Sequence, residues 1–191
     1  VCAAVDLVHQ QAALHRDLKP SNLLITPEGD PKILDFGISK QLNNEGLASR
    51  TLSAAFPAHF SLSYASPEQA RGASLTTASD VYSLGVILFK LLTGTVPLRL
   101  AHDLEHREEA LRALRLEDPP LASSAAKQRG AREHLAPSFA PALKGDLDEI
   151  LKKALQKDPT KRYQTPYQLA DDIARHLEYR PVSVRPDGRQ Y

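Results

Sequence analysis

Two short apolar runs, Leu23-Leu24-Ile25 and Ile33-Leu34, stand either side of Pro27-Glu28-Gly29-Asp30-Pro31. Proline presets one turn angle and glycine supplies the left-handed one, so this spacing predicts a β-hairpin. Its consequence is chemical. Asn22 lies just before the first strand and Asp35 just after the second, and the outer ends of an antiparallel pair meet. Asp17 and Lys19 precede Asn22 by five and three residues. Two carboxylates, an amide and an ammonium are therefore expected to converge at one mouth.

Hard oxygen donors of this kind suit Mg²⁺, which retains waters and takes one or two carboxylates plus substrate phosphates. Phosphoryl transfer needs a metal, a group to orient or deprotonate a hydroxyl, and a cation on the transferred phosphate. Asp35 and Asn22 are candidate Mg²⁺ ligands, Asp17 the candidate base, and Lys19 the candidate γ-phosphate contact of ATP.

The rest of the chain reads as mainly α. Val1, Val5 and Val8 recur at near-helical spacing, predicting a helix over 1–13. Residues 39–66 are aperiodic and predict a long loop, a feature that is usually functional inside compact domains. Thr76-Thr77-Ala78-Ser79-Asp80 supplies caps for a helix over 81–92, apolar nearly all round and so expected to be buried, with Gly94 as its stop. Residues 105–116 predict a charged amphipathic helix with Leu111 and Leu114 inward. Residues 118–145 hold Pro119, Pro120, Pro137 and Pro141 among many Ala and Ser, and read as a flexible connection. Asp146 with Glu149 suggests a capping box opening a helix with Leu147, Ile150, Leu151, Ala154 and Leu155 on its apolar face. A last helix over 166–177 takes Thr165 as cap and Pro166 at its first position, with Leu169, Ile173 and Leu177 as its stripe. Residues 180–191 read as a linker.

At 191 residues, 42% hydrophobic and 25% charged, the chain is long enough for one core. Its net charge of +1 offers no general attraction to nucleic acid or an anionic membrane. A single cysteine, Cys2, excludes an internal disulfide and a cysteine zinc cage, and suits a reducing, cytoplasmic setting. No apolar run reaches membrane-spanning length. His102, His106, His134 and His176 show no metal-ligand grouping. The chain starts at Val1 and contains no methionine, so it reads as a fragment whose start lies upstream.

His15-Arg16-Asp17-Leu18-Lys19-Pro20-Ser21-Asn22 followed by Asp35-Phe36-Gly37 resembles the catalytic loop and metal-binding triplet of eukaryotic-type protein kinases. Further motifs of that family follow in order. Ser66-Pro67-Glu68 resembles the Ala-Pro-Glu closing the activation segment. Asp80-Val81-Tyr82-Ser83-Leu84-Gly85 resembles the buried helix whose aspartate holds the catalytic loop, and Arg162 resembles the arginine paired with the glutamate of Ala-Pro-Glu. The wording is most similar to bacterial serine/threonine protein kinases. The resemblance implies the C-terminal lobe of the protein-kinase-like fold over 1–177, partial and lacking its N-lobe, with 178–191 the start of a linker.

Within that resemblance, Asp17, Lys19 and Asn22 are implied as catalytic. Lys19, Asn22 and Asp35 are implied to hold ATP and Mg²⁺. His15 packs against the Phe36 and Gly37 region, and Arg16 binds an activation-loop phosphate, for which Thr51 is favoured over Ser49 and Ser53. Ser61 takes the place of a threonine near the catalytic aspartate. Glu68 and Arg162 form a buried ion pair, and Asp80 holds the loop. Protein substrates with Ser or Thr acceptors follow, and trans-autophosphorylation with them. No Gly-rich loop, strand lysine or helix glutamate is present, so the 191-residue chain alone is expected to transfer no phosphate at a useful rate. The alternatives are a non-catalytic binding module and, ranked lower, a small-molecule phosphotransferase. The parent protein has room for a membrane anchor by family analogy.

Overall fold

A computed structural model describes residues 1–34, 62–98, 100, 106–133 and 140–185. Helix α1 (Cys2–Gln10) leads through an extended loop and a 3-10 turn (Pro20–Asn22) into β1 (Leu23–Ile25) and β2 (Pro31–Ile33). After a 3-10 turn (Leu62–Tyr64) come α2 (Pro67–Ala70), α3 (Thr77–Thr93), α4 (Arg107–Leu116), α5 (Ala122–Glu133), α6 (Ala140–Leu143), α7 (Asp146–Ala154) and α8 (Pro166–Leu177). The mainly helical lobe with one small hairpin matches the expected fold class.

The hairpin is antiparallel, with Leu23 opposite Ile33 and Ile25 opposite Pro31. Thr26 N–H donates to Asp30 O at 2.9 Å and Gly29 N–H to Thr26 O at 2.9 Å. Gly29 has φ of 90°, the left-handed turn position that glycine fills without a Cβ clash. The strand begins two residues earlier than its apolar run because Pro31 and Lys32 continue the ladder from the turn.

Helix α3 is the wall on which the lobe is built. Ser79 Oγ accepts the N–H of Thr76 at 3.1 Å, and Gly94 closes the helix at φ 74° with its N–H on Lys90 O at 2.7 Å. One face carries Tyr82, Val86 and Phe89 into a core with Leu111, Leu114 and Leu151. The other carries Val81, Leu84 and Ile87 into a second core with Val5, Ile150 and Leu169.

Four expectations are corrected. Residues 118–145 are not simply a flexible connection, since α5 and α6 lie within them. Ala, Lys, Gln and Arg are strong helix formers, and the prolines stand outside α5. Ser123 also donates its N–H and Oγ to Asp148 at 3.0 and 2.7 Å, anchoring the first turn to α7. Asp146 does not cap α7: Gly145 takes that place, and the Asp146 carboxylate goes to Arg185 Nη1 at 3.2 Å.

Leu177 is 71% exposed, because the inward place beside Leu169 is taken by Asp172, which is 0% exposed. The last is the linker. Tyr179 adopts φ of 55° and Arg180 N–H donates to Arg175 O at 2.8 Å, a left-handed helix end that reverses the chain. Residues 181–185 then run back across the lobe with Val182 buried. Thr165 caps α8 as expected, accepting Gln168 N–H at 3.2 Å.

Candidate active site

The loop from His15 to Asn22 is held from below by Asp80 on the first turn of α3. Its carboxylate accepts His15 N–H at 2.9 Å on Oδ2 and Arg16 N–H at 2.9 Å on Oδ1. Arg16 has φ of 68°, a left-handed conformation that costs a non-glycine residue energy unless its surroundings impose it. The paired bonds to a buried carboxylate do so, being charge-assisted and hence stronger than neutral ones. Two further contacts brace the loop. His9 Nε2, in the last turn of α1, lies 2.7 Å from Asp80 Oδ2, and Gln69 Nε2 donates to Arg16 O at 2.7 Å.

Above this support three polar side chains gather. Asn22 is buried and its Nδ2 donates to Asp17 O at 2.9 Å, so its carbonyl oxygen is the atom left for a hard cation. Lys19 Nζ lies 2.9 Å from Asp17 Oδ2. Both of these side chains are partly open to solvent. Leu34 N–H donates to Asn22 O at 2.8 Å, which brings the end of β2 alongside Asn22. His15, 1% exposed, has Nε2 3.2 Å from Leu34 O, linking the loop to the end of the hairpin. Asp35, Phe36, Gly37, Thr51 and Ser61 lie outside the described residues, as do Ser49 and Ser53.

The second support is the pair expected from sequence. Arg162 Nη1 and Nη2 meet Glu68 Oε1 and Oε2 at 2.7 and 2.8 Å, a bidentate fork. The remaining guanidinium donors reach Ala78 O at 2.9 Å, Lys157 O at 3.2 Å and Gln156 O at 2.6 Å. The guanidinium carbon lies 4.9 Å from the centre of the Tyr82 ring. Burial by itself would raise the Glu68 carboxyl, but the hydrogen bonds and charge of Arg162 prevail and hold it below its ordinary value. Ser66 caps α2, and its capping box with Gln69 sets Glu68 in the first turn. Ser83 Oγ donates to Tyr64 O at 2.8 Å, tying α3 to the segment before α2.

The structure thus brings Asp17, Lys19 and Asn22 together over Asp80, and Glu68 to Arg162. Sequence reasoning missed His9, Gln69 and Ser83. His9 stands in the last turn of the first helix, six residues before His15. Gln69 was legible as the third residue of a capping box, but its reach to Arg16 is a long-range contact.

The lobe presents Asp17, Lys19 and Asn22 at one mouth, on a loop held by the buried Asp80. The family profile for the protein kinase domain matches residues 1–176, and the chain belongs to that family. It is 37% identical over 175 residues to the serine/threonine-protein kinase PknB of Mycobacterium tuberculosis, covering 91% of this chain and 24% of that protein. A probable serine/threonine-protein kinase of Streptomyces coelicolor is 33% identical over 185 residues, covering 96% and 24%. Among solved structures, the PknI kinase domain of Mycobacterium tuberculosis superposes with a TM-score of 0.59 at 26% identity, covering 93% of this chain and 52% of that one. The twitchin kinase region of C. elegans gives 0.60 at 25% identity, covering 89% and 26%. The chain spans about a quarter of the curated relatives it matches. Among the described residues, no helix is long and apolar enough to cross a membrane.

Proposed function

We propose that this chain is the catalytic half of a serine/threonine kinase that moves the γ-phosphate of ATP to Ser or Thr hydroxyls of proteins with Mg²⁺. The observation that carries the reading is the loop pinned by Asp80, with Asp17, Lys19 and Asn22 at one mouth. The donor set fits the ion: the Asn22 carbonyl oxygen is not the atom engaged with Asp17 O, and Asp35 supplies the carboxylate by family likeness. Bound Mg²⁺ would neutralise phosphate charge.

Asp17 accepts or orients the proton of the attacking hydroxyl. Its partner Lys19 is within reach to turn to a γ-phosphate, which would free the carboxylate. Arg16 is assigned to an activation-loop phosphate, with Thr51 the preferred acceptor in trans. The Ser/Thr class rests on Lys19-Pro20 and on the names of the relatives. The setting is cytoplasmic for this domain. The whole platform of Glu68, Arg162 and Asp80 argues against a small-molecule phosphotransferase. The binding-module reading is disfavoured by the intact Asp17, Lys19 and Asn22.

The test joins this chain to the ATP-binding lobe of a related kinase and follows phosphate transfer to a protein substrate. Asp17→Asn should lower turnover by about 10²- to 10⁴-fold, the usual worth of a positioned base, and leave Mg·ATP affinity unchanged. The 191-residue chain alone should transfer nothing at a useful rate. Equal turnover with and without Asp17 would remove the catalytic reading and favour the binding module.

A further inference from the structure

Beyond the catalytic mouth and the Glu68–Arg162 pair, a buried polar cluster holds the returning C-terminal strap. Asp172 is 0% exposed and accepts three hydrogen bonds. Tyr163 Oη donates at 2.8 Å, Ser183 N–H at 2.6 Å and Ser183 Oγ at 2.7 Å. Ser183 therefore engages both carboxylate oxygens, while the residue itself is exposed. Beside it Val182 is 2% exposed in the core with Val5 and Ile150. Arg185 N–H donates to Val182 O at 3.1 Å, and the Arg185 side chain meets Asp146. Val184 packs partly against the same core, and Arg175 Nη1 donates to Pro181 O at 3.5 Å.

We propose that Ser183 is a latch residue whose phosphorylation opens the strap. The donor is ATP, used by a kinase of this same family. As the Ser183 Oγ–phosphorus bond forms, the bond from the γ-phosphorus to the β–γ bridging oxygen breaks. ADP leaves with that electron pair, and the hydroxyl proton passes to the kinase's base. The product has lost the proton that Oγ donates to Asp172. It places about −1.5 to −2 of charge against the buried Asp172 carboxylate, and like charges at that range repel.

The nearby arginines each have a carboxylate partner already. Arg175 lies on Asp171 at 2.7 Å, Arg180 on Glu178 at 2.7 Å and Arg185 on Asp146 at 3.2 Å. Lys153 Nζ stands over the Tyr163 ring at 4.3 Å. The sign rests on Asp172 being the group in direct contact with Ser183 Oγ. Phosphorylation would free residues 181–185 from the lobe.

Phosphoserine installed at position 183 of the 191-residue chain by codon suppression tests this, read by amide hydrogen exchange. Exchange at residues 182–185 should quicken at least tenfold while α3 is unaffected, and Ser183→Ala should change it much less. In an Asp172→Asn background the extra effect of phosphate should shrink, since the repelling charge is gone. Unchanged or slower exchange with phosphoserine overturns the latch, slower exchange meaning that an arginine has captured the phosphate. The acceptor role rests on the kinase reading and is read separately, by mapping phosphate on the chain joined to the same ATP-binding lobe. Phosphate at Ser183 supports it, and phosphate elsewhere but never there removes it. No transfer at all counts against the kinase reading, and the exchange arm still decides the latch.

Discussion

Glu68 and Arg162 decide more than any other two residues whether the platform under the active site stands. Both side chains are almost completely buried, 3% and 0% exposed, and the guanidinium is spent on one carboxylate and three carbonyls. Removing one partner of such a pair leaves the other buried and uncompensated, a loss of about 3 to 5 kcal/mol. Glu68→Gln should therefore lower stability by about 3 kcal/mol at neutral pH. The pH dependence follows from the depressed carboxyl. Its folded pKa lies below the ordinary value of 4.5, so the stabilisation is fully present above that value and is lost as pH falls through the folded one. The stability gap between the natural chain and Glu68→Gln, measured by urea unfolding, should be constant from pH 7 to about 5 and narrow below 4.5. A gap that does not change with acid would mean Glu68 is not held by its charge. This pair was legible in the sequence because family motifs name both members. Asp172 was not, since an aspartate in an apolar helical stripe reads as solvent-facing until its partners, Tyr163 and Ser183, are seen to converge on it.

At the scale of elements, α3 and α7 approach each other closely at Gly85. Gly85 makes it possible: a Cβ built there would lie 3.0 Å from Ala154 Cβ and 3.1 Å from a Leu155 methyl. The Ala154 Cβ is fixed to its own backbone and cannot yield. Gly85→Ala would gain about 1 kcal/mol in helix propensity, but overpacking costs about 1 to 3 kcal/mol, and the second effect should win. A fall in Tm of about 2 to 4 °C for each kcal/mol lost is expected at this chain length. A rise in Tm would mean the two helices can move apart freely. Of the helices the sequence predicted well, α3 shows as a long apolar run and α8 as a periodic stripe, both with recognisable caps. Among those it missed are α5 and α6. Helix α5 offers neither signal: it is mostly Ala, Ser, Lys and Arg with no clear stripe. Its place comes from the bonds of Ser123 to Asp148 on α7 and of Arg129 Nη1 to Thr93 O at 3.3 Å, which no local window contains.

For the molecule as a whole, the hairpin stands open to solvent. Leu24 is 53%, Ile25 66% and Leu34 37% exposed, so the catalytic mouth sits at an apolar edge while both cores lie behind it. Those cores share the walls α3 and α7, the latter giving Leu151 to one and Ile150 and Ala154 to the other. Because α3 lends one face to each, neither body of side chains keeps its packing if the other dissolves, and the helix cannot be lost from one alone. Cooperativity is thus a property of the architecture: in the calorimeter the 191-residue chain should melt in one transition, with van't Hoff and calorimetric enthalpies equal. Two resolved transitions would show that each core can stand without the other.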